Sequence, residues 1–320
     1  MKRSLTAILV AAAAAPLAAC GGGNTAGTSS SATSVASTCP SGGSTNGNGA
    51  HVSIGSKGFA EEQILATITQ LELQKHGYVV DYSLQAKDTA IGDALVSGQI
   101  GMLWQYTGTE LQEYLHLTGF PTDLTAAFNF VKQKDEPRGL CWTSPAPLDD
   151  TNGLAISAAM QSTLGSSLAD FNTYLVAHPQ TKVCIMSEFR TRADGIPGLV
   201  SQYGQGYATS NVNYIDLGST AEKNISQGQC VAGEVFTTDS PIAADNLYVL
   251  KDTRNLFPPD NVGLIVRSSV LKANPGIARI MAPVAAKITS EVITGLNKEV
   301  EIDNMSAMAV AQAWLAQNGF

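Results

Sequence analysis

Apolar and polar positions change period along this chain in a regular order. His51-Val52-Ser53-Ile54-Gly55-Ser56 alternates at period two, which predicts a short strand ending in a loop. Ala60 to His76 places Ile64, Leu65, Ile68 and Leu71 at the spacing of one helix face, and Gly77 supplies the stop. Val79 to Leu84 reads as a strand, and Asp88 to Ser97 as a short helix stopped by Gly98. Ile100 to Tyr106 reads as a strand, and Gly108 opens the next helix. Such alternation implies a parallel sheet covered by helices.

A second set follows. Strands are predicted at Asn152–Ile156, Lys182–Ser187, Val212–Ile215 and Val231–Phe236, with helices at Leu168–Ala177, Pro197–Tyr203 and Ala221–Gln227. Leu247–Leu250 and Val262–Val266 look like strands returning to the first lobe, and Asn274 to Ala316 is largely helical. The chain therefore reads as α/β, with two doubly wound lobes and the second inserted in the first. Residues 51–150 form the first part of lobe 1, 151–252 lobe 2, and 253–320 the rest of lobe 1.

The first 50 residues follow a different pattern. Lys2 and Arg3 precede an apolar run from Leu5 to Ala19, the layout of a secretory signal and too short for a comfortable membrane span. The run ends Leu17-Ala18-Ala19-Cys20 before three glycines, which resembles a bacterial lipobox. That resemblance implies a lipoprotein signal peptide over 1–20, acylation of Cys20, and a mature protein held at the outer face of the cytoplasmic membrane. Residues 21–50 hold no charged side chain and are mostly Gly, Ser, Thr, Ala and Asn, so a flexible linker is expected there.

Composition narrows the function. Of 320 residues, 44% are hydrophobic, enough to exclude disorder of the whole chain. Only 14% are charged and the formal net charge is −8, which excludes the basic stripe of a nucleic-acid binder. Lys2 and Arg3 are the only charges before residue 51, so the acidic balance belongs to the folded part.

Enzyme signatures are missing. The chain has no HExxH, no G-x-S-x-G elbow, no Walker loop and no G-x-G-x-x-G after a strand. His51, His76, His116 and His178 are scattered, and neither they nor the cysteines have metal-ligand spacing. Glu61-Glu62 opens a helix, where negative charge suits the dipole. No catalytic residue, cofactor or metal is expected. A 2-1-3 strand order in the second lobe puts the strand of Cys184 beside the one Cys230 opens. That favours a disulfide between them, with two buried thiols as the alternative. Cys39 and Cys141 are left over, with their pairing open.

In open α/β sheets, binding groups gather at the carboxyl ends of strands. The residues there are Ser56-Lys57, Tyr106-Thr107-Gly108-Thr109, Asp149-Asp150-Thr151-Asn152, Arg190, Arg192 and Phe236-Thr237-Thr238-Asp239. Facing lobes would gather them in one cleft.

These segments carry a resemblance. Val52 to Glu61, Ala94-Leu95 with Gly98, Tyr106 to Thr109, and Glu188-Phe189 with Arg192, Asp194-Gly195 and Pro197-Gly198-Leu199 resemble the osmoprotectant-binding proteins of ABC importers. Phe236 to Asp239, Leu250-Lys251-Asp252, and Val310-Ala311 with Trp314-Leu315 and Gly319 continue the likeness in the same order. The resemblance implies a type II periplasmic-binding-protein fold closing on glycine betaine, choline, carnitine or a similar small solute. Its partners would be an ABC permease and its ATPase. It implies Tyr106 as a cage wall, and Lys57, Thr109 and Arg192 as the groups holding a ligand carboxylate. Asp150, Asn152, Phe236, Asp239 and Asp260 complete the expected ligand set. A quaternary ammonium donates no conventional hydrogen bond, so aromatic faces must hold it.

The chain also departs from the family pattern. Asn152 and Asp260 stand where cage tyrosines are expected, Phe236 where a tyrosine is usual, and Ala60 where threonine is common. The alternative reading keeps the receptor but gives it a polyhydroxylated, aromatic or amine-bearing solute. Refilling of the cage by Tyr207 or Tyr248 is the other possibility.

Overall fold

The computed structural model describes residues 39–117, 119–216 and 221–320. The expected signal peptide, Cys20 and the linker up to residue 38 lie outside the described residues. The first lobe opens with β1 (His51–Ser56), α1 (Ala60–Lys75), β2 (Val79–Gln85), α2 (Asp88–Ser97) and β3 (Met102–Tyr106). Then come α3 (Thr107–Thr109), which runs on as a π-helical turn over Glu110–Tyr114, α4 (Leu124–Asp135) and β4 (Leu140–Asp149). The second lobe holds β5 (Asn152–Ser157), α5 (Gln161–Leu164), α6 (Leu168–Ala177), β6 (Lys182–Ile185) and α7 (Ile196–Tyr203). It continues with β7 (Asn213–Asp216), α8 (Ala221–Ser226), β8 (Ala232–Phe236), α9 (Pro241–Ala244) and β9 (Leu247–Val249). The chain returns to the first lobe through β10 (Asn261–Arg267), α10 (Ser268–Ala273), α11 (Gly276–Ala285), α12 (Ser290–Glu301) and α13 (Ala307–Asn318).

Each lobe is built on a five-stranded sheet, ordered β2-β1-β3-β10-β4 in the first and β7-β6-β8-β5-β9 in the second. Both sheets are mixed rather than parallel. β10 runs antiparallel to β3 and β4, and β5 antiparallel to β8 and β9. The reversed strands are those that flank the crossings between lobes. β9 pairs with β5 in the second sheet, so Leu247–Val249 does not return to the first lobe as expected. The inserted lobe also extends past residue 252. Leu256 and Phe257 are buried in its core, and the Asp252 carboxylate accepts the Tyr203 hydroxyl and the Phe257 N–H.

Apolar side chains pack on both faces of each sheet. In the first lobe Ile54, Trp104 and Val262 share one cluster, and Leu103, Trp142 and Ile265 lie in the cluster on the opposite face. Helix starts use side-chain caps: Asp123 accepts from the Ala126 N–H, and Ser167 with Asp170 forms a capping box. Cys184 and Cys230 form a disulfide in the second lobe, with Cα atoms 5.8 Å apart.

Residues 39–50 correct the linker boundary. Cys39 is disulfide-bonded to Cys141 of β4, with Cα atoms 5.4 Å apart. The Gly47 and Gly49 N–H groups donate to the His76 and Gly77 carbonyls, each at 2.8 Å, and Arg279 donates to the Gly43 carbonyl at 2.8 Å. This segment lacks charge, but its backbone groups and one sulfur fasten it to the first lobe.

Candidate ligand-binding site between the lobes

The chain crosses between lobes along Asp149–Asn152 and again along 258–260. The crossings are bonded to each other. The Asp150 N–H donates to the Asp260 carbonyl at 3.0 Å, and the Asp260 N–H to Asp149 Oδ1 at 2.9 Å. Thr107 ties the end of β3 to the second crossing by donating to the Pro259 carbonyl at 2.9 Å. This two-stranded joint holds the carboxyl ends of β3 and β8 against each other.

Aromatic faces converge there from both lobes. Tyr106 ends β3, Phe59 is the N-cap of α1, and Phe236 ends β8. The Phe59 ring centroid lies 6.2 Å from Tyr106 and 6.2 Å from Phe236, stacked on the latter. Lys57 Nζ lies 4.3 Å from the Tyr106 ring centroid and donates to Gln105 Oε1 at 2.9 Å. The Tyr106 ring therefore already faces an ammonium group, the chemistry a quaternary amine would present.

The expected ligand residues fall in two groups. Lys57, Tyr106, Thr109, Asn152, Arg192 and Asp260 are each no more than 4% exposed, so the lobes close over them. Asp150, Phe236 and Asp239 line a cavity of about 680 Å³ between the lobes, whose walls include Phe59, Asn297 and Glu301. Asn152 pairs with Phe236 across β5 and β8, and its buried Oδ1 has no hydrogen-bond partner among the described residues. Arg192 does not present an open guanidinium. Its Nε and Nη2 fork onto Asp194 at 2.9 and 3.0 Å, and Glu113 of the first lobe lies 3.8 Å away. Tyr207 and Tyr248 do not refill the cage: Tyr207 is buried in the second-lobe core with its hydroxyl on the Leu168 carbonyl, and Tyr248 donates to the Ser166 carbonyl.

Carboxylates dominate the interior of the joint. Glu61 accepts from the Tyr106 hydroxyl at 2.8 Å, Thr238 Oγ1 at 2.7 Å and Asn297 Nδ2 at 2.9 Å. Burial holds its carboxyl above the ordinary range, against those hydrogen bonds and the charge of Lys57. Asp150 lies far above its ordinary value, through burial and then the nearby Glu61 charge. Thr238 Oγ1 lies 2.5 Å from Asp150 Oδ1 as well as 2.7 Å from Glu61 Oε2. A hydroxyl carries one proton, so one contact needs a protonated carboxyl. Asp260 is pushed up to about 7, mainly by burial, while Arg192, the Gly108 N–H and Lys57 pull it back. Asp239 is raised by burial and by Glu222 beside it.

Sequence reading missed several of these groups. Phe59 sits inside the opening motif between Gly58 and Ala60, and its position after a strand end was a usable signal. Glu61 does open α1, but its carboxyl is buried between the lobes rather than serving the helix end alone. Asn297, 236 residues away on α12, left no local signal. Among the described residues, no group of three His, Cys, Asp or Glu side chains could hold a metal ion.

Two α/β lobes, one inserted in the other and joined by paired crossings, define a solute receptor of the type II periplasmic-binding-protein class. A solved structure of apo YehZ from Escherichia coli matches with a TM-score of 0.61 at 26% identity, covering 85% of this chain and 99% of that one. A structure described as a glycine betaine/carnitine/choline ABC transporter shares the fold with a TM-score of 0.67 at 19% identity, covering 84% and 98%. The chain belongs to the family of substrate-binding domains of ABC-type glycine betaine transport systems, whose model matches residues 50–317. It is 31% identical to the glycine-betaine-binding protein of Pseudomonas aeruginosa, over 83% of this chain and 87% of that relative. It is thus a substrate-binding protein and not an enzyme.

Proposed function

We propose that this chain is the exported, lipid-anchored receptor of an ABC importer. It captures a quaternary ammonium osmoprotectant between its lobes and delivers it to the permease. The observation that carries the reading is the convergence of Phe59, Tyr106 and Phe236 from two lobes, with an ammonium group on the Tyr106 face. Each such face contributes about 0.5–2 kcal/mol to holding a cation. Lys57, Thr109, Asp150, Asn152, Arg192, Asp239 and Asp260 complete the site. Export and anchoring rest on the charged start, the apolar run and the lipobox ending at Cys20. Calorimetric titration of ligand-free protein with glycine betaine, choline and carnitine tests the cargo. Saturable heat with at least one is expected; none from folded protein removes the quaternary-ammonium reading.

A second reading keeps the receptor and changes the cargo. It is favoured by Asn152, whose buried Oδ1 is an unused acceptor where the family places a tyrosine. A hydroxyl- or amine-bearing solute would supply the donor. Mass spectrometry of the solute that copurifies separates the two.

A further inference from the structure

The cavity between the lobes, about 680 Å³ in volume, holds polar groups that the aromatic trio leaves unused. Seven carboxyl side chains line it, with Lys223 the single base among the described lining residues. An acidic wall alone identifies no ligand, but two buried acceptors in this one are unfilled. Glu234 lies on β8 of the second lobe, 4% exposed. Its Oε2 accepts the Met186 N–H at 2.8 Å, and its Oε1 has no partner among the described residues. Asn297 lies on α12 of the first lobe, 2% exposed. Its Nδ2 donates to Glu61 Oε2 at 2.9 Å and to the Thr238 carbonyl at 3.3 Å. Both partners are acceptors, which fixes the amide orientation and leaves Oδ1 without a donor. Buried acceptors of this kind call for N–H or O–H donors, and the carboxyl-rich wall calls for positive charge. A quaternary ammonium brings the charge without the donor, so it fills neither oxygen. Among the described residues no three of these acids form a metal-ion site, so the wall suits an extended organic cation better than a metal. Phe59 and Phe236, stacked with centroids 6.2 Å apart, add an apolar face on which a hydrocarbon stem can lie.

We propose that this cavity is a site for a short aliphatic diamine. One ammonium donates to Glu234 of the second lobe and the other to Asn297 of the first, so the ligand ties the lobes together. This inference rests on the receptor reading and does not need the quaternary cargo.

The probes are 1,4-diaminobutane and its permethylated analogue, which keeps the stem and both charges but has no N–H. Each is titrated calorimetrically into ligand-free protein at about pH 8.5. That lies above the value of about 8 to which burial lifts Glu234, and below the ~10.4 of an alkylammonium. Wild-type protein is expected to bind the diamine about tenfold tighter or more than the permethylated analogue. Glu234→Gln keeps an oxygen for the Met186 N–H and is expected to weaken the diamine about tenfold. If that variant fails to fold, Glu301→Gln, at an exposed position of the same cavity wall, should weaken it severalfold. The proposal is overturned by no diamine binding to folded wild type, by equal or tighter binding of the permethylated analogue, or by unchanged affinity in the folded variant. Binding of glycine betaine or choline without the diamine removes this inference alone. Binding of the diamine without either upholds it and removes the quaternary cargo.

Discussion

Glu61 and Asp150 meet across the lobe boundary on one hydroxyl, that of Thr238. Glu61 comes from α1 of the first lobe, Thr238 from the loop after β8 in the second, and Asp150 from the crossing between them. Two carboxyls and one hydroxyl proton make a clasp that is complete only when a further proton is bound.

This fixes a pH dependence of stability. Burial raises Glu61 and Asp150, lifts Asp260 to about 7, and lifts Glu234 to about 8. An acid raised in the folded state binds its proton more tightly folded than unfolded. Its stabilising effect is complete below the ordinary carboxylate range and is lost as pH rises through the folded value. The unfolding midpoint should therefore fall between about pH 5 and about pH 8. Calorimetric scans across that window check it, and a rising midpoint would contradict the assignment.

Thr238→Val keeps the shape of the side chain and removes the hydroxyl between the carboxyls. The loss should be about 1–3 kcal/mol, because buried oxygens lose their donor. Urea unfolding measures it. A change near zero would mean that the clasp contributes nothing to the folded state.

Arg192 and Asp194 are a buried ion pair, 4% and 1% exposed. Arg192→Ala strands the carboxylate and should cost about 3–5 kcal/mol. Adding Asp194→Leu should recover much of that loss. If the double variant is as unstable as the single one, packing rather than charge governs the site.

The Tyr106 ring and its hydroxyl have separable roles. Tyr106→Phe keeps the face toward Lys57 and loses the bond to Glu61, so affinity for a quaternary amine should change little. Tyr106→Leu removes the face and should weaken binding by about tenfold. Titration of both variants with the same cation decides, and equal losses would argue against an aromatic wall.

The Cys39–Cys141 bond closes a separation of 102 residues. By chain entropy such a link restrains the unfolded state by about 2–5 kcal/mol. Cys39→Ser should lower the urea midpoint accordingly, while the second lobe keeps its own Cys184–Cys230 link.

The alternating elements of both lobes were readable because period two and period 3.6 are local signals. β4 was not, because Pro145 and Pro147 break the strand pattern. It is the outermost strand of its sheet, where proline is tolerated. α4 (Leu124–Asp135) was likewise not read from the sequence. In the cleft, residues at strand ends were legible and their partners were not. Glu61 read as one of two acids serving a helix start and Arg192 as a holder of a ligand carboxylate, whereas folding sets them against Thr238 and Asp194. Asp260 stood out only as a departure from a pattern, and its contact with Gly108 spans 152 residues.

The stapled segment before β1 also has a mechanical consequence. Tension arriving along the chain at Cys39 passes through its sulfur into β4, which the ladder with β10 spreads across the first sheet. β4 ends at Asp149, where the first crossing begins, and there it pairs with Asn261 of β10. In the anchored receptor proposed above, the tether would therefore pull on the first lobe, to which the Cys39–Cys141 bond staples it.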